Sequence, residues 1–220
     1  DLGRAKEAFK IQNQYRKEKG VAALEWSDEL DQFCIYRLKN SGFDAHKNLG
    51  RDMNGYFGDY VQYKHLLFSE NQDAGNISAK ATMKVWKSSS GHYHNLLSEK
   101  HICGAIACYN NMWCAIFYDK DKSEVENWRN YQIKKITVKR YDSGKGTYLG
   151  GCSIGYYETE DHWNTLQAAT ISKESGKDIY LAVGKTYTIY ERKRPDGCEK
   201  AESVTITVTG DGISEIILKS

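Results

Sequence analysis

The chain has 220 residues, enough for one large core or two modest ones, and its charges nearly cancel, at +2 overall. No block of Lys or Arg is present to track phosphates, which excludes nucleic acid as an expected partner. No apolar run approaches the roughly 20 residues of a membrane-spanning helix. The opening "DLGRAKEAF" lacks the apolar core of a signal peptide, so the protein is either cytosolic or exported with its signal already removed.

From Arg4 to Asn40 the texture is helical. Ala5, Ala8, Phe9, Ile11 and Tyr15 recur at three- and four-residue spacing until Gly20 breaks the run. Ser27 is placed to cap a second helix, whose period through Leu30, Phe33, Cys34 and Leu38 puts Cys34 on a buried stripe. Residues 42–75 are rich in Gly, Asn, Asp and aromatics and read as irregular, with "QYKHLLFSEN" as a short ordered piece. Helical spacing returns over Ala79–Lys87, and "SSSGHYHNLL" follows at once, its serines and Gly91 marking another helix start.

Beyond it the period changes to two. "HICGAIAC" and "MWCAIFYD" flank "YNN" as a hairpin, the polar "KDKSEVENWRN" reads as a linker, and only strands and turns follow. A mixed half followed by an all-β half predicts two separately packed units.

The six cysteines are Cys34, Cys103, Cys108, Cys114, Cys152 and Cys198, with no Cys-x-x-Cys pair among them. An even count without metal spacing favours disulfides and an oxidising compartment; the alternative is six buried thiols. The expected pairing is Cys108–Cys114 across the hairpin, Cys34–Cys103 between helix and sheet, and Cys152–Cys198 within the β half.

Asn13 and Arg16 in "NQYRKEKGVAALEWSDEL", then "AHKNLGR", "FSENQ", "VWKSSSGHYHNLL" and the hairpin resemble, in order and spacing, the CAP superfamily. This is the SCP-like domain of cysteine-rich secretory, antigen 5 and pathogenesis-related proteins, here similar to bacterial members. The resemblance implies an α-β-α sandwich with an open cleft. Carried over by position, His46, Glu70 and His92 line that cleft and are the candidate ligands for an optional, weakly held zinc. Ser69 stands where the family usually has Gly, and Ser89 stands where many members carry a second cleft Glu. His65, His94, His101 and His162 read as surface or packing residues. No catalytic residue is assigned, because no Gly-x-Ser-x-Gly elbow accompanies Ser90.

"ITVKRYDSGKGTYLGGCSIGYYET" and "YLAVGKTYTIYERKRPDGCEK" resemble the SpaA or Cna-B pilin and adhesin module, a prealbumin-like β-sandwich. Many such modules self-crosslink through a Lys–Asn isopeptide bond assisted by a Glu. Glu191 matches that Glu, but Arg140 stands where the Lys is expected and "GDGISEIILKS" contains no Asn. A guanidinium stays protonated and is a poor nucleophile, so no isopeptide bond is expected and Glu191 reads as a salt-bridge carboxylate.

Together these imply an α+β chain: a CAP domain at 1–122, a linker at 123–130 and an all-β module at 131–220. The expected role is a secreted or cell-surface bacterial binding protein whose partner is a small molecule, a lipid, or a cell-wall or host component. The alternative is a metal-dependent hydrolase or peptidase using the same cleft.

Overall fold

The computed structural model describes residues 1–58 and 68–220, with Asn164 by its backbone alone. Within it the chain divides into two compact units, residues 1–129 and 130–220, each with its own core. Among the described residues no helix is long and apolar enough to cross a membrane. The ordered piece expected around His65 lies outside the described residues as far as residue 67.

In the first unit, α1 (Leu2–Glu18) starts on the Asp1 carboxylate, which accepts from the Arg4 N–H, and buries Ala5, Ala8, Phe9, Gln12 and Arg16. After β1 (Glu25–Trp26) comes α2 (Asp28–Asn40), where the Ser27 hydroxyl accepts from the Leu30 N–H and three acids fill the first turn. A further helix, α3 (Leu49–Phe57), lies in the segment read as irregular; Leu49, Met53, Tyr56 and Phe57 recur on one face, and Tyr56 and Phe57 pack on Phe33 of α2, a period that the surrounding Gly, Asn and Asp obscure. β2 (Phe68–Ala74), α4 (Ala79–Ser88), α5 (Ser90–Leu97) and the hairpin β3 (Cys103–Tyr109) and β4 (Met112–Tyr118) complete the set. Asn110 and Asn111 both take positive φ, as the tight turn requires.

The sheet runs β1-β3-β4-β2, antiparallel except for β1 with β3. Residues of one parity, Ile106, Cys108, Trp113, Ala115 and Phe117, pack with Ala8, Phe9, Met83, Trp86 and Leu96 from α1, α4 and α5. The other parity faces α2, which packs on β3 and β4. The sheet is thus the middle layer of an α-β-α sandwich. Arg16 is fully buried and donates to the carbonyls of Ala22, Leu96, Ser98 and His101, so the motif "NQYRKEKG" ties α1 to the end of α5.

The segment expected as a linker is instead folded. α6 (Lys122–Asn127) and a 3₁₀ turn (Trp128–Asn130) bury Val125 and Trp128, whose indole meets Phe57, Phe68 and Tyr118. Its charges occupy the exposed side of a short helix, and two apolar residues were too few to outweigh them in the sequence.

The second unit is a β-sandwich. One sheet is β11 (Val204–Thr207), β10 (Thr186–Lys193), β7 (Cys152–Glu158) and β8 (Gln167–Ile171) in that order, with α7 (His162–Thr165) between β7 and β8. The other is β12 (Glu215–Lys219), β5 (Ile133–Asp142) and β6 (Thr147–Leu149), with β9 (Lys177–Ala182) also on β5. Inward residues such as Ile136, Val138, Ile154, Ile179, Leu181, Ile189 and Leu218 form its core.

All six cysteines are free thiols, which corrects each expected disulfide. Cys108 is opposite Trp113 and Cys114 opposite Ala107, so one residue of register separates their parity and they point to opposite faces of the sheet. Cys34 sits under β3 and β4, 4.0 Å from the Ala105 carbonyl, whereas Cys103 donates to the Lys120 carbonyl. Cys198 lies beside the Lys145 ammonium, 3.2 Å away, and Cys152 is buried in the sandwich core.

A candidate binding cleft

The cleft is built on one guanidinium. Arg37, fully buried on α2, contacts Glu70 of β2, Asp52 of α3 and Asp44 of the turn after α2, each at 2.6 Å. Asn40 and Ser41 also donate to Asp52. Burial opposes ionisation of Asp44, but the hydrogen bond and charge of Arg37 outweigh it and hold that carboxyl at about 2. At Asp52 burial again opposes ionisation, and hydrogen bonds from Ser41, then Arg37 and Asn40, hold the carboxyl low.

The turn that follows has left-handed backbone at two non-glycine residues, Ala45 and His46. Asp44 accepts from the Asn48 N–H, and the Gln72 side chain accepts from the N–H of Asp44 and His46, which stabilises that conformation. Its consequence is to place His46 Nδ1 2.7 Å from Glu70 Oε2. That hydrogen bond raises the pKa of His46, although burial opposes it.

α5 supplies the opposite wall. The Ser89 hydroxyl accepts from the His92 N–H as its cap, Asn95 donates to the Glu70 carbonyl and the Asn71 side chain, and Asn71 donates to the His92 carbonyl. These bonds fasten α5 to the edge strand β2. Between the walls is a cleft of about 450 Å³ lined by His46, Glu70, Ser89, Ser90, Gly91, His92, His94 and Asn95.

All three cleft residues expected from the sequence therefore line one cavity. His94 lines it too; two-residue spacing from His92 had set it on another face of the helix, but an eight-residue helix at a rim exposes both. His101 is a packing residue, buried against Phe117 and bonded to Asp119, and His162 packs at a tilt against Tyr157. Burial, then the nearby charge of His46, lowers the pKa of His92. Its Nδ1 is buried without a hydrogen-bond partner among the described residues. Sequence reasoning missed Arg37, Asp44 and Asp52, whose only signal was an arginine on an otherwise apolar helical stripe.

The arrangement does not fit a zinc centre. Glu70 spends both oxygens on Arg37 and His46, and among the described residues no three His, Cys, Asp or Glu side chains converge as ligands. Among the described residues no serine hydroxyl bonds a histidine ring.

Residues 9–117 match the cysteine-rich secretory protein (CAP) family and residues 134–220 the SpaA prealbumin-like domain. The chain joins a CAP domain to a SpaA domain. No curated protein sequence matches it. Among solved structures, the CAP part is similar to an extracellular SCP-domain protein of Bacillus anthracis, at 21% identity and TM-score 0.48 over 55% of this chain and 41% of that one. A cysteine-rich secretory protein of Staphylococcus aureus gives 16% and 0.48 over 55% and 40%. The SpaA part is similar to a C-terminal fragment of the pilus adhesin SpaC of Lactobacillus rhamnosus GG, at 19% and 0.32 over 40% and 44%. The chain thus spans less than half the length of each.

In the SpaA domain, Arg140 takes the place of the expected lysine and is fully buried. Its Nε is 2.8 Å from Glu191 Oε1, and it also donates to Tyr141, Glu199 and Ser220. The second Glu191 oxygen accepts from the Ala201 N–H. The position expected to carry the isopeptide lysine holds a salt bridge.

Proposed function

We propose that the protein is a secreted or surface-exposed bacterial binding protein whose CAP cleft holds a small polar ligand or the polar head of a larger one. The observation that carries this is the lining of the cleft, where a His46–Glu70 pair that Arg37 fixes in place stands across from His92, Ser90 and Asn95. The lining side chains are imidazole, carboxylate, hydroxyl and amide, which suits a head group and not an acyl chain. The decisive experiment is imidazole NMR of the full chain against cell-wall fragments, lipid head groups and host glycans. A hit moves the His92 and His46 signals together; a binder that moves neither refutes the cleft as its site.

The competing reading is a hydrolase, favoured by the 2.7 Å His46–Glu70 contact, which would make His46 a general base. Turnover of an ester or peptide probe that vanishes in His46→Ala would establish it.

A further inference from the structure

The sheet face that α2 covers carries small side chains where the helix crosses it. Ala105 and Ala107 of β3 and Cys114 of β4 share that face, with Ala107 directly opposite Cys114. Small residues let the helix come down close, and Cα atoms of α2 stand within 8 Å of those of both strands. Against them α2 presents Cys34, whose Sγ is 4.0 Å from the Ala105 carbonyl. The Cys34 and Cys114 thiols hydrogen-bond to each other, and both residues are fully buried.

The remaining cysteines do not compete for this pair. Cys103 shares the face but lies four residues along β3 from Ala107, about 13 Å away, and its thiol donates to the Lys120 carbonyl. Cys108 points to the opposite face of the sheet, and Cys152 and Cys198 belong to the second unit.

The pair stands behind the cleft. Cys114 Sγ is 3.5 Å from Glu70 Oε1, the oxygen that Arg37 contacts at 2.6 Å, while the second oxygen of Glu70 bonds His46. Arg37 is itself one turn of α2 beyond Cys34. A thiol proton directed at Glu70 stabilises its charge; without that proton the carboxylate holds a protonated His46 more strongly.

We propose that Cys34 and Cys114 are a redox pair that closes to a disulfide, pinning α2 to β4 and removing the thiol donor from Glu70. This pairing differs from each one expected from the sequence. The bond forms by exchange with an external disulfide: the two thiols give up two protons and two electrons, Cys34 Sγ joins Cys114 Sγ, and the oxidant leaves as two thiols. Burial pushes the Cys114 thiol up, and the thiolate is the attacking species, so closure belongs to folding, before the helix covers the strand. None of this depends on what the cleft binds.

The test refolds the full chain from denaturant with oxidised glutathione and, in parallel, with a reductant. The peptide map without reduction should contain a Cys34–Cys114 bridge in the first sample and none in the second. The CAP transition should melt roughly 10 °C higher in the oxidised protein. In imidazole NMR the titration of His46 should move to higher pH on oxidation. Neither difference should survive in Cys34→Ala, which keeps the Cys114 thiol on Glu70. The proposal is overturned if both thiols are still open to alkylation in denaturant after oxidative refolding, or if either is joined to another cysteine. It is also overturned if the bridge forms and His46 titrates alike in the two samples. The wild-type chain decides each of these outcomes, whether or not the variant folds.

Discussion

Two of the three buried arginines, Arg37 and Arg140, face carboxylates, and they are used in opposite ways. Arg140 faces one carboxylate, Glu191, and its remaining N–H groups go to carbonyls and a hydroxyl, so charge and hydrogen bonds both close on themselves. Arg37 faces three carboxylates, and even with Arg51 at the rim on Asp52 one negative charge is left over. That excess leans on His46, whose side chain is 46% exposed and opens into the cleft. A balanced pair is a staple. An unbalanced one, with its last partner half in water, is a site whose charge a proton or a ligand completes.

Removing the two guanidiniums should separate these roles, with the larger effect at the larger imbalance. Breaking a buried ion pair by deleting one partner costs about 3–5 kcal/mol. Arg37→Met strands carboxylates on α2's neighbours β2, α3 and the His46 turn at once, so the loss should reach or pass the top of that range. Calorimetry should show the CAP transition lost or strongly lowered. A CAP domain as stable as wild type would mean that the cluster is not what holds the cleft.

Arg140→Met should cost the SpaA domain about 3–5 kcal/mol, since Glu191 keeps only the Ala201 N–H. Recovery in Arg140→Met/Glu191→Leu would sharpen the comparison, because a closed pair can be exchanged for apolar volume and an open one cannot. Intact mass should show neither the ammonia nor the water that an isopeptide bond would release.

The third consequence is a pH effect smaller than either. His46 has a raised folded pKa because Glu70 bonds it, so its contribution to stability is fully present below about pH 6.5 and is lost as pH rises through the folded pKa. His92 has a lowered folded pKa because it is buried, so its contribution is present above about pH 6.5 and is lost as pH falls through the folded pKa. The two slopes oppose each other in a melting curve, and imidazole NMR resolves them. Glu70→Gln should drop the His46 pKa and barely move that of His92; equal shifts in both would show that the two rings act as one coupled pair.

Much of this was legible in the sequence. Ser27 marks its helix by chemistry that needs no tertiary contact, and the alternation in "KTYTIYE" and "SVTITV" already separates the core face from the outer face of the SpaA domain. Where local rules failed, the missing quantity was spatial. Parity across the hairpin sets Cys108 and Cys114 on opposite faces, although the short turn suggests they meet. Asp44, Asp52 and Glu70 are scattered through segments of different texture and acquire a common purpose only when α2 brings Arg37 among them. His46 and Glu70 came from a family resemblance, because no spacing in the chain connects them.

The smallest change tests whether the cleft lacks only one acid to become a metal site. Ser89 both caps α5 and lines the cleft, at the position where many CAP domains carry glutamate. In Ser89→Glu the hydroxyl cap is lost, but a carboxylate gains from the helix N-terminus, so stability should change by no more than about 1 kcal/mol. The new acid would not be committed to Arg37, unlike Glu70, and it would stand beside His92 and across from His46. It should raise the His92 pKa and supply a free oxygen donor to two imidazoles, which is enough for a three-ligand zinc site with a water position. Calorimetric titration should show zinc affinity rising at least about tenfold over wild type, falling again below about pH 6.5 as the imidazoles protonate. Equal zinc affinity in wild type, Ser89→Glu, His46→Ala and His92→Ala would place the metal elsewhere and leave the cleft to an organic ligand.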